Sequence, residues 1–427
     1  MRLVFNPLSQ ILDKGRKLPP GTRRLYGDVW FKKQGDGKWT YDGMQDSKSA
    51  PHPGVSSQSS QSVPTSRFEQ VHKLSQSDIS ELIEDTTKRD RMSFGQKVRY
   101  VGRGNPAYSG KAGKLIGVGE GGSAVIQMPD GKAIDAKWAS VRPEGAIKPF
   151  SVYDGLSEGQ VFRYSGEVQK SIDAIMNTKI GSGGTYKDLC EGFRKEGFNL
   201  YMVGGAVRDV MSGKPANDID FVVDATDREL YSVLKKINPA WVGKITKTNP
   251  AIGLISFKDG SEEVDITPIH RYSPETKRMM KGWNLKEDGT SRDFAMNSLH
   301  VEPLDGIMVD ATGQGVKDIE ENTLSFSNAD ILGDCPRNVI RTFKFLARGY
   351  KLTPDAETAL KKNLPSTLAM RHGRRISFID TQVGQKDGLE GLKKFRNYFK
   401  KYDVGGVWDS GYKAAFETVY AKYGGKV

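Results

Sequence analysis

The alternation of apolar and polar positions divides the chain into regions of different character. From about residue 160, apolar residues recur at helical spacing or form short buried runs, which predicts helices and strands in succession. The runs "NLYMVGG" and "DIDFVVDA" predict strands, whereas "GEVQKSIDAIMNTKI" and "TYKDLCEGFRKEGF" predict helices. After residue 330 the segments "NVIRTFKFLARGY", "PDAETALKKNL" and "GLKKFRNYFKKY" all predict helices. The pattern therefore predicts an α+β domain followed by a helical region.

The first 150 residues follow a different pattern. Two aromatic runs flank Gly-Asp-Gly in "GDVWFKKQGDGKWTYDG", which predicts a β-hairpin. The Ser-, Gln- and Pro-rich segment Ser47–Ser66 predicts a flexible linker, and "SQSDISELIEDTTKR" predicts a short helix. Between residues 95 and 146, short β-rich runs are separated by glycine turns, which is typical of a small antiparallel barrel.

These changes of pattern predict five regions along the chain. They are an N-terminal β-hairpin segment, a flexible linker with a short helix, a small β-barrel, an α+β domain and a helical C-terminal region, with bounds at residues 1–45, 46–92, 93–148, 160–325 and 326–427.

Composition narrows the class of protein. The 427 residues carry a formal charge of +12, which favours a polyanionic partner such as nucleic acid. The two cysteines, Cys190 and Cys335, have no paired spacing, which excludes a disulfide framework or a cysteine zinc site. No run approaches the roughly 18 apolar residues that span a bilayer, and the N-terminus lacks the pattern of a signal peptide. We therefore expect a soluble cytoplasmic protein with no membrane partner.

The stretch "YMVGGAVRDVMSGKPANDIDFVVDA" carries the strongest chemical signal. Gly204 and Gly205 follow a predicted strand, where the absence of Cβ lets a phosphate approach the backbone. Arg208 can reach such a phosphate with its fork of donors. Asp218 and Asp220, two residues apart on the next predicted strand, share one face. Like charges held so close favour a divalent cation, and oxygen ligands suit Mg²⁺.

Two later motifs add further candidates. In "EEVDITPIHR", Glu263 and Asp265 alternate onto one strand face and offer a third carboxylate. In "SRDFAMNSLHVEP", Arg292, Asp293 and Asn297 are predicted on one face of the first turns of a helix, where they could bind phosphate and sugar.

Three other titratable residues are predicted to be structural. Asp209 fits a helix-start or ion-pair residue better than a catalyst. His270 and His300 fit packing or surface positions, since neither has a ligand-type partner at helical spacing.

The order of these motifs resembles one enzyme family. "VGGAVRDVMSGKPANDID" is similar to the signature of the class II CCA-adding enzymes and bacterial poly(A) polymerases, which belong to the polymerase-β-like nucleotidyltransferases. "VDITPIHR" is similar to the family's strand with the third acidic residue. "SRDFAMNSL" is similar to the family's Arg-Arg-Asp-Phe-Thr-x-Asn-Ala motif, with Ser291 at the first arginine. The resemblance covers about residues 185 to 350.

The resemblance implies a fold, a reaction and a set of site residues. The fold is a polymerase-β-like nucleotidyltransferase head with a helical neck-like region after it. The reaction is transfer of a nucleoside monophosphate from an NTP to an RNA 3′-hydroxyl, with tRNA as the default acceptor and Mg²⁺ as cofactor. Asp218 and Asp220 would bind the metal ions and Asp265 would assist, while the nucleotide would contact Gly204, Gly205, Arg208, Arg292, Asp293 and Asn297.

The chain departs from the family where the base of the nucleotide is read. The family carries Glu-Asp-x-x-Arg on a helix, and "GDCPRNVIRTFKFLARGY" places Asp334, Cys335 and Asn338 at those three positions. Sliding the alignment by one residue instead matches Asp334 and Arg337 to the Asp and Arg. Arg337 or Arg341 is an alternative base-reading residue. The choice of nucleotide is therefore open.

The sequence also leaves open which parts of the chain would bind RNA. The "GKAGKLIGV" and "MPDG" runs resemble KOW/SH3-like barrels, which implies contact with RNA or a partner protein, although the barrel could equally be a spacer. The lysines and aromatics of "KKFRNYFKKY" suit phosphate and base contacts, although a solvated basic helix face explains them as well. Two alternative functions remain: nucleotide transfer to a protein or small molecule, and a binding module that retains the fold without turnover.

Overall fold

The computed structural model describes residues 65–86, 92, 95–118, 123–145, 150–216, 218–249, 252–273 and 278–425, and the backbone of three N-terminal strands. These strands form an antiparallel sheet in the order β1 (Arg23–Tyr26), β2 (Val29–Lys33) and β3 (Trp39–Met44). Strands β2 and β3 pair across the Gly-Asp-Gly segment. Apart from its last two residues, the predicted linker Ser47–Ser66 lies outside the described residues.

A short strand and helix lead into a small separate sheet. Strand β4 (Val71–Lys73) precedes helix α1 (Gln76–Asp85), which Ser75 and Asp78 cap reciprocally. Five antiparallel strands then pair in the order β8-β7-β6-β5-β9 around their own apolar core. They are β5 (Lys97–Tyr100), β6 (Ala112–Val118), β7 (Ala124–Gln127), β8 (Ala133–Ala136) and β9 (Val141–Pro143). The KOW assignment of this sheet stays a prediction.

A nine-stranded mixed sheet forms the centre of the head. Besides β4 it contains β10 (Val161–Tyr164), β11 (Leu200–Val203), β12 (Asp220–Val223), β13 (Ile245–Asn249), β14 (Leu254–Asp259), β15 (Glu262–Pro268), β18 (Leu299–Glu302) and β19 (Ile307–Asp310). The order is β13-β14-β15-β12-β11-β18-β19-β10-β4. In this sheet β12 and β15 are parallel neighbours, and the other pairs are antiparallel. A separate hairpin of β16 (His270–Ser273) and β17 (Arg278–Lys281) follows β15.

Both faces of the large sheet are buried. Along β11, Leu200 and Met202 pack into the core under the helices of one face, while Tyr201 and Val203 pack into the core of the opposite face. This alternation is the period-two pattern of a strand covered on both sides. The helices of the head are α2 (Gly166–Met176), α3 (Tyr186–Lys195), α4 (Gly205–Met211), α5 (Asp227–Ile237), α6 (Pro239–Gly243), α7 (Leu285–Thr290) and α8 (Gly315–Glu321).

The C-terminal region is helical, as predicted. Strands β20 (Thr323–Leu324) and β21 (Lys351–Leu352) join it to the head as a short parallel pair. Its helices are α9 (Ala329–Asp334), α10 (Pro336–Ala347), α11 (Pro354–Asn363), α12 (His372–Ile379), α13 (Gln385–Tyr402) and α14 (Lys413–Lys422). Among the described residues, no helix has the length and apolar character needed to cross a membrane.

An aromatic cluster holds these helices together. Phe399 on α13 is fully buried and lies 4.5 Å from the ring of Phe343 on α10 and 4.7 Å from that of Tyr412, centre to centre. Such ring pairs stabilise a core beyond the area that they bury. Phe395 and Tyr402 on the same helix are buried as well. Three of the four aromatic residues of "KKFRNYFKKY" are therefore core residues, and the prediction that they suit base contacts is wrong for these three.

Truncation of Phe399 should destabilise the helical region. Phe399→Ala removes a fully buried ring and is expected to lower the free energy of unfolding by about 3–5 kcal/mol, because large-to-small changes leave a cavity. Lys394→Ala, at an exposed position of the same helix, is expected to change it by less than about 0.5 kcal/mol. Chemical denaturation followed by circular dichroism measures both. Equal effects of the two variants would contradict the assignment of Phe399 to the core.

Candidate active site

A glycine turn after β11 brings two arginine side chains together. Gly204 has φ +69° and ψ −130°, a conformation that residues with a Cβ rarely adopt. A Cβ placed on Gly204 would lie 3.6 Å from Nη1 of Arg292, and one placed on Gly205 would lie 3.5 Å from Nη2 of Arg208. Two guanidinium groups therefore lie against one stretch of bare backbone, which is a suitable surface for phosphate groups.

Two carboxylates lie side by side next to this turn. Asp220 is the first residue of β12 and pairs directly with Asp265 in the parallel neighbour β15. It also pairs with Val203, the last residue of β11 before the glycine turn. Neighbouring strands are only about 4.8 Å apart, so both carboxylates occupy the same edge of the site. Glu263, two residues earlier on β15, is exposed and pairs with Lys258 of β14.

The position of Asp218 differs from the prediction. We expected Asp218 and Asp220 on one strand, but β12 begins at Asp220 and Asp218 lies in an exposed bend before it. The buried Ile219 intervenes. The Asp218 carboxylate still acts on Asp220 electrostatically and raises its pKa.

The electrostatics of the carboxylates favour a bound cation. Burial and then the Asp265 carboxylate raise the pKa of Asp220 to about 6, while Arg292 lowers it. Within the described residues, Oδ1 of Asp265 is buried without a hydrogen-bond partner. A divalent cation would supply the missing partner and would offset the repulsion between the two carboxylates.

The donor set fits Mg²⁺ rather than a metal held by protein alone. In the described part of the chain, no three His, Cys, Asp or Glu residues are grouped so that they could hold a metal ion. Mg²⁺ usually binds one or two carboxylates and completes its octahedron with water and substrate phosphates. Asp220 and Asp265, next to a surface suited to phosphate, match that requirement.

A buried carboxylate orients Arg292. Asp288 on α7 accepts a hydrogen bond from Nε of Arg292 at 2.8 Å, and its Oδ2 lies 2.9 Å from Nε2 of His300. Its Oδ1 accepts from the backbone N–H of His270 at 3.1 Å. Burial opposes ionisation of Asp288, but Arg292 and His300 outweigh it and hold the pKa of this carboxyl well below its usual range. Because Nε of Arg292 is engaged, its terminal nitrogens remain directed to the glycine turn.

The two histidines of this network are structural. Burial lowers the pKa of His270 to about 4, and burial also lowers the pKa of His300. Both rings are therefore neutral at pH 7, and His300 can donate Nε2–H to Asp288. Both rings are buried, in agreement with the packing role predicted for them.

Sequence reasoning did not identify Asp288 or the role of Ser291. The signal for Asp288 was its position four residues before Arg292, which is the spacing of an ion pair on a helix. Ser291 stands where the family motif has an arginine. Its hydroxyl accepts from the backbone N–H of Tyr272 at 2.7 Å and donates to the carbonyl of Glu287 at 2.7 Å. Ser291 thus holds the β16 hairpin against α7.

A second chain of hydrogen bonds connects the turn to the helical region. Nη1 of Arg208 donates to Oδ1 of Asn297 at 2.9 Å, and Nδ2 of Asn297 donates to Oδ1 of Asp293 at 3.0 Å. Asp293 in turn forms an ion pair with Arg341 on α10. Arg208 also pairs with Asp209 at 2.8 Å, in agreement with the ion-pair role expected for Asp209.

The prediction that Arg292, Asp293 and Asn297 share a helix is wrong. Helix α7 ends at Thr290, and Asn297 belongs to a separate single turn of 3₁₀-helix, Ala295–Asn297. The Asp293 carboxylate accepts from the backbone N–H of Phe294 at 3.0 Å, a local contact that replaces helical hydrogen bonding. Asp293 and Asn297 nevertheless meet through their side chains.

The base-reading candidates lie around the start of α10. Helix α9 ends at Asp334, whose side chain lies outside the described residues, and α10 begins at Pro336. Arg337 is exposed and Asn338 is half-buried in the first turn. Arg341, one turn later, is engaged with Asp293.

Comparison with known proteins agrees with the geometry. Residues 200–325 match the family model of the poly(A) polymerase head domain. The chain is 28% identical to the A-adding tRNA nucleotidyltransferase of Aquifex aeolicus over 46% of this chain and 24% of that protein. It is 25% identical to the CCA-adding enzyme of Geobacillus stearothermophilus over 42% of this chain and 43% of that protein. The chain thus covers less than half the length of each of these relatives.

Solved structures include the Thermotoga maritima CCA-adding enzyme complexed with tRNA, at 21% identity and a TM-score of 0.45, over 57% of this chain and 55% of that one. The family model covers the glycine turn, the carboxylates Asp220 and Asp265, and Arg208 and Arg292. Residues 200–325 therefore match a poly(A) polymerase head domain, and the chain is similar to A-adding and CCA-adding nucleotidyltransferases over less than half of its length.

Proposed function

We propose that the protein is a Mg²⁺-dependent, template-independent nucleotidyltransferase that transfers a nucleoside monophosphate from an NTP to the 3′-hydroxyl of an RNA, with tRNA as acceptor. The observation that carries the proposal is the pairing of Asp220 with Asp265 beside a glycine turn that two guanidinium groups flank. The relatives named as A-adding and CCA-adding enzymes support tRNA as the acceptor.

The triphosphate is proposed to bind on the glycine turn. Arg208 and Arg292 would each donate to phosphate oxygens from terminal nitrogens, while the backbone of Gly204 and Gly205 admits the phosphate chain without steric conflict. Asn297, held by Arg208 and Asp293, is proposed to contact the ribose.

The carboxylates are proposed to hold Mg²⁺ and to orient the acceptor hydroxyl. When bound, Mg²⁺ supplies activation of that hydroxyl and charge stabilisation for the leaving pyrophosphate. Asp220 and Asp265 would hold it between strands that are fixed by the sheet. The predicted role of Asp218 as a metal ligand stays a proposal, because Asp218 lies exposed in the bend before β12 and is not paired with Asp265.

Selection of the base is proposed to depend on the first turn of α10. Because Arg341 is paired with Asp293, Asn338 and Arg337 are the residues of this helix better placed to meet the base, with Asp334 beside them. An amide carries both a donor and an acceptor, so it can pair with more than one base edge. We therefore expect weaker discrimination between nucleotides at Asn338 than a guanidinium would give.

The N-terminal sheet of β5–β9 is proposed to contact RNA or a partner protein. This proposal rests on the exposed basic residues of the sheet and its adjoining turns, which include Lys111, Lys132 and Lys137.

Neutralising the carboxylates should abolish transfer. Asp220→Asn and Asp265→Asn are each expected to reduce nucleotide transfer by more than about a hundredfold, because metal-assisted stabilisation contributes several kcal/mol to the transition state. Asp173→Asn, on the exposed face of α2, is the matched control and should retain activity. Labelled NTPs, Mg²⁺ and tRNA provide the assay, with the melting temperature as a check on folding. Full transfer by folded Asp220→Asn protein would overturn the proposed mechanism.

The same assay addresses the acceptor. Extension of the RNA supports the proposal, whereas a nucleotide adduct on protein with unchanged RNA would assign transfer to a protein acceptor. Failure of the wild-type protein to transfer from any NTP would favour a binding module without turnover.

Removing the charge of Asp288 should weaken NTP binding. Asp288→Asn keeps the shape of the side chain but loses the charged partner of Arg292, so the KM for NTP is expected to rise about tenfold, which is the scale of one charge-assisted hydrogen bond. Because Asp288 does not face the reacting atoms, kcat should change less than KM. Steady-state kinetics with varied NTP separates the two. An equal fall in kcat at unchanged KM would argue against the role of Asp288 in orienting Arg292.

A further inference from the structure

A buried lysine lies between the head and the helical region without a carboxylate partner. Lys344 on α10 is 7% exposed. Its Nζ donates to Oε1 of Gln382 at 3.1 Å and lies 5.2 Å from the centre of the Phe345 ring. Among the described residues, its polar partner is thus a neutral amide. A buried ammonium group with so little compensation is costly for the fold unless an anion approaches it.

The surroundings of Lys344 carry an excess of positive charge. Burial and four neighbouring cations lower the pKa of Lys344 to about 7, and these cations are Arg348, Arg341, Lys386 and Arg208. Each of the three arginines has an aspartate partner, which is Asp387, Asp293 and Asp209 respectively. In the described part of the chain, neither lysine has such a partner. The cluster is therefore short of negative charge.

Two further features mark the same place. Nε of Arg341 is buried and has no hydrogen-bond acceptor among the described residues. Gln382, which contacts Lys344, belongs to a π-helical turn, Asp380–Gly384. Such turns are rare and occur often at functional sites. An acceptor with several oxygens would satisfy both Arg341 and Lys344.

The cluster adjoins the glycine turn through one aromatic ring. The guanidinium of Arg208 lies 5.4 Å from the centre of the Phe345 ring, which Lys344 also contacts. Nη2 of Arg208 would also lie 3.5 Å from a Cβ placed on Gly205. A ligand of the cluster would therefore lie next to the bound triphosphate.

We propose that Lys344, Arg341 and Lys386 form a second phosphate-binding subsite, distinct from the glycine turn, which deepens the proposed function and rests on it for the source of the phosphate. The source is either a backbone phosphate of the RNA acceptor or a phosphate of the incoming nucleotide. Both present the same tetrahedral oxygens, and the binding experiment distinguishes them.

The subsite predicts proton uptake on binding. At about pH 7.5 to 8, part of the Lys344 population is neutral, because the pKa of Lys344 is about 7. A bound phosphate favours the ammonium form and raises that pKa, so binding takes up protons above neutrality and not near pH 6, where Lys344 is already charged.

The test uses the full chain and three variants. Lys344→Met removes the charge and keeps most of the volume, Lys344→Arg restores a charge, and Lys235→Met makes the same change at an exposed position of α5. The probes are inorganic phosphate, ATP without divalent metal, and a tRNA acceptor minihelix. Calorimetry in buffers of different ionisation enthalpy gives affinity and proton uptake, and melting temperatures verify folding.

The expected result is weaker binding of at least one probe by folded Lys344→Met protein, about tenfold, with loss of proton uptake. Lys235→Met should behave as wild type, and Lys344→Arg should recover affinity. If the RNA supplies the phosphate, the slope of log affinity against log salt falls by about 0.7–0.9 for the minihelix. If the nucleotide supplies it, ATP binding weakens instead.

The proposal is overturned if Lys344→Met binds all three probes as wild type does, which includes the case in which wild type binds none. This outcome is separable from failure of the proposed function. Binding that depends on Lys344 in a protein that transfers no nucleotide would retain the subsite and reject the enzyme. Normal transfer with binding independent of Lys344 would do the reverse.

Discussion

Two like charges held side by side are the constraint on which the rest of the site depends. Because β12 and β15 are parallel and in register, Asp220 and Asp265 cannot separate without breaking the sheet. The sheet is buried on both faces, and the packing of its core outweighs the repulsion between the two carboxylates. Without that packing the carboxylates would move apart. The repulsion between the two carboxylates therefore favours binding of a cation even before a ligand is present. Pre-organised charge directed at the charge that develops in a transition state is usually the largest single contribution to catalysis.

The two arginines of the site are also held in position, but by residues of different elements. Arg292 depends on a buried aspartate within the head, whereas Arg208 depends on Asn297 and on the face of an aromatic ring from the helical region. Each guanidinium thus uses some of its N–H groups to hold its own position, and its remaining N–H groups can bind a ligand. Because the fold already holds both guanidinium groups in place, their side chains lose less conformational entropy when a ligand binds.

The sequence predicted the structure well at positions whose conformation depends mainly on neighbouring residues in the chain. The buried runs predicted β11 and β12, and the glycine pair predicted the turn between β11 and α4. It failed at Asp293 and Asn297, because the Asp293 carboxylate accepts from the backbone N–H of the next residue and so replaces the helical hydrogen bonding that the spacing predicts. It also could not tell buried aromatics from exposed ones in α13, since lysines flank them on the same helix. Partners distant in the chain, such as Asp293 and Arg341, leave no local pattern.

The series of contacts from Arg208 through Asn297 and Asp293 to Arg341 has a mechanical consequence. This route of side-chain hydrogen bonds and an ion pair runs from the glycine turn to α10. Hydrogen bonds weaken steeply once their atoms move beyond about 3.5 Å. A small rotation of the helical region against the head would therefore break the Asp293–Arg341 pair and move the Phe345 ring away from Arg208. The surroundings of the glycine turn thus depend on how the head and the helical region are placed relative to each other.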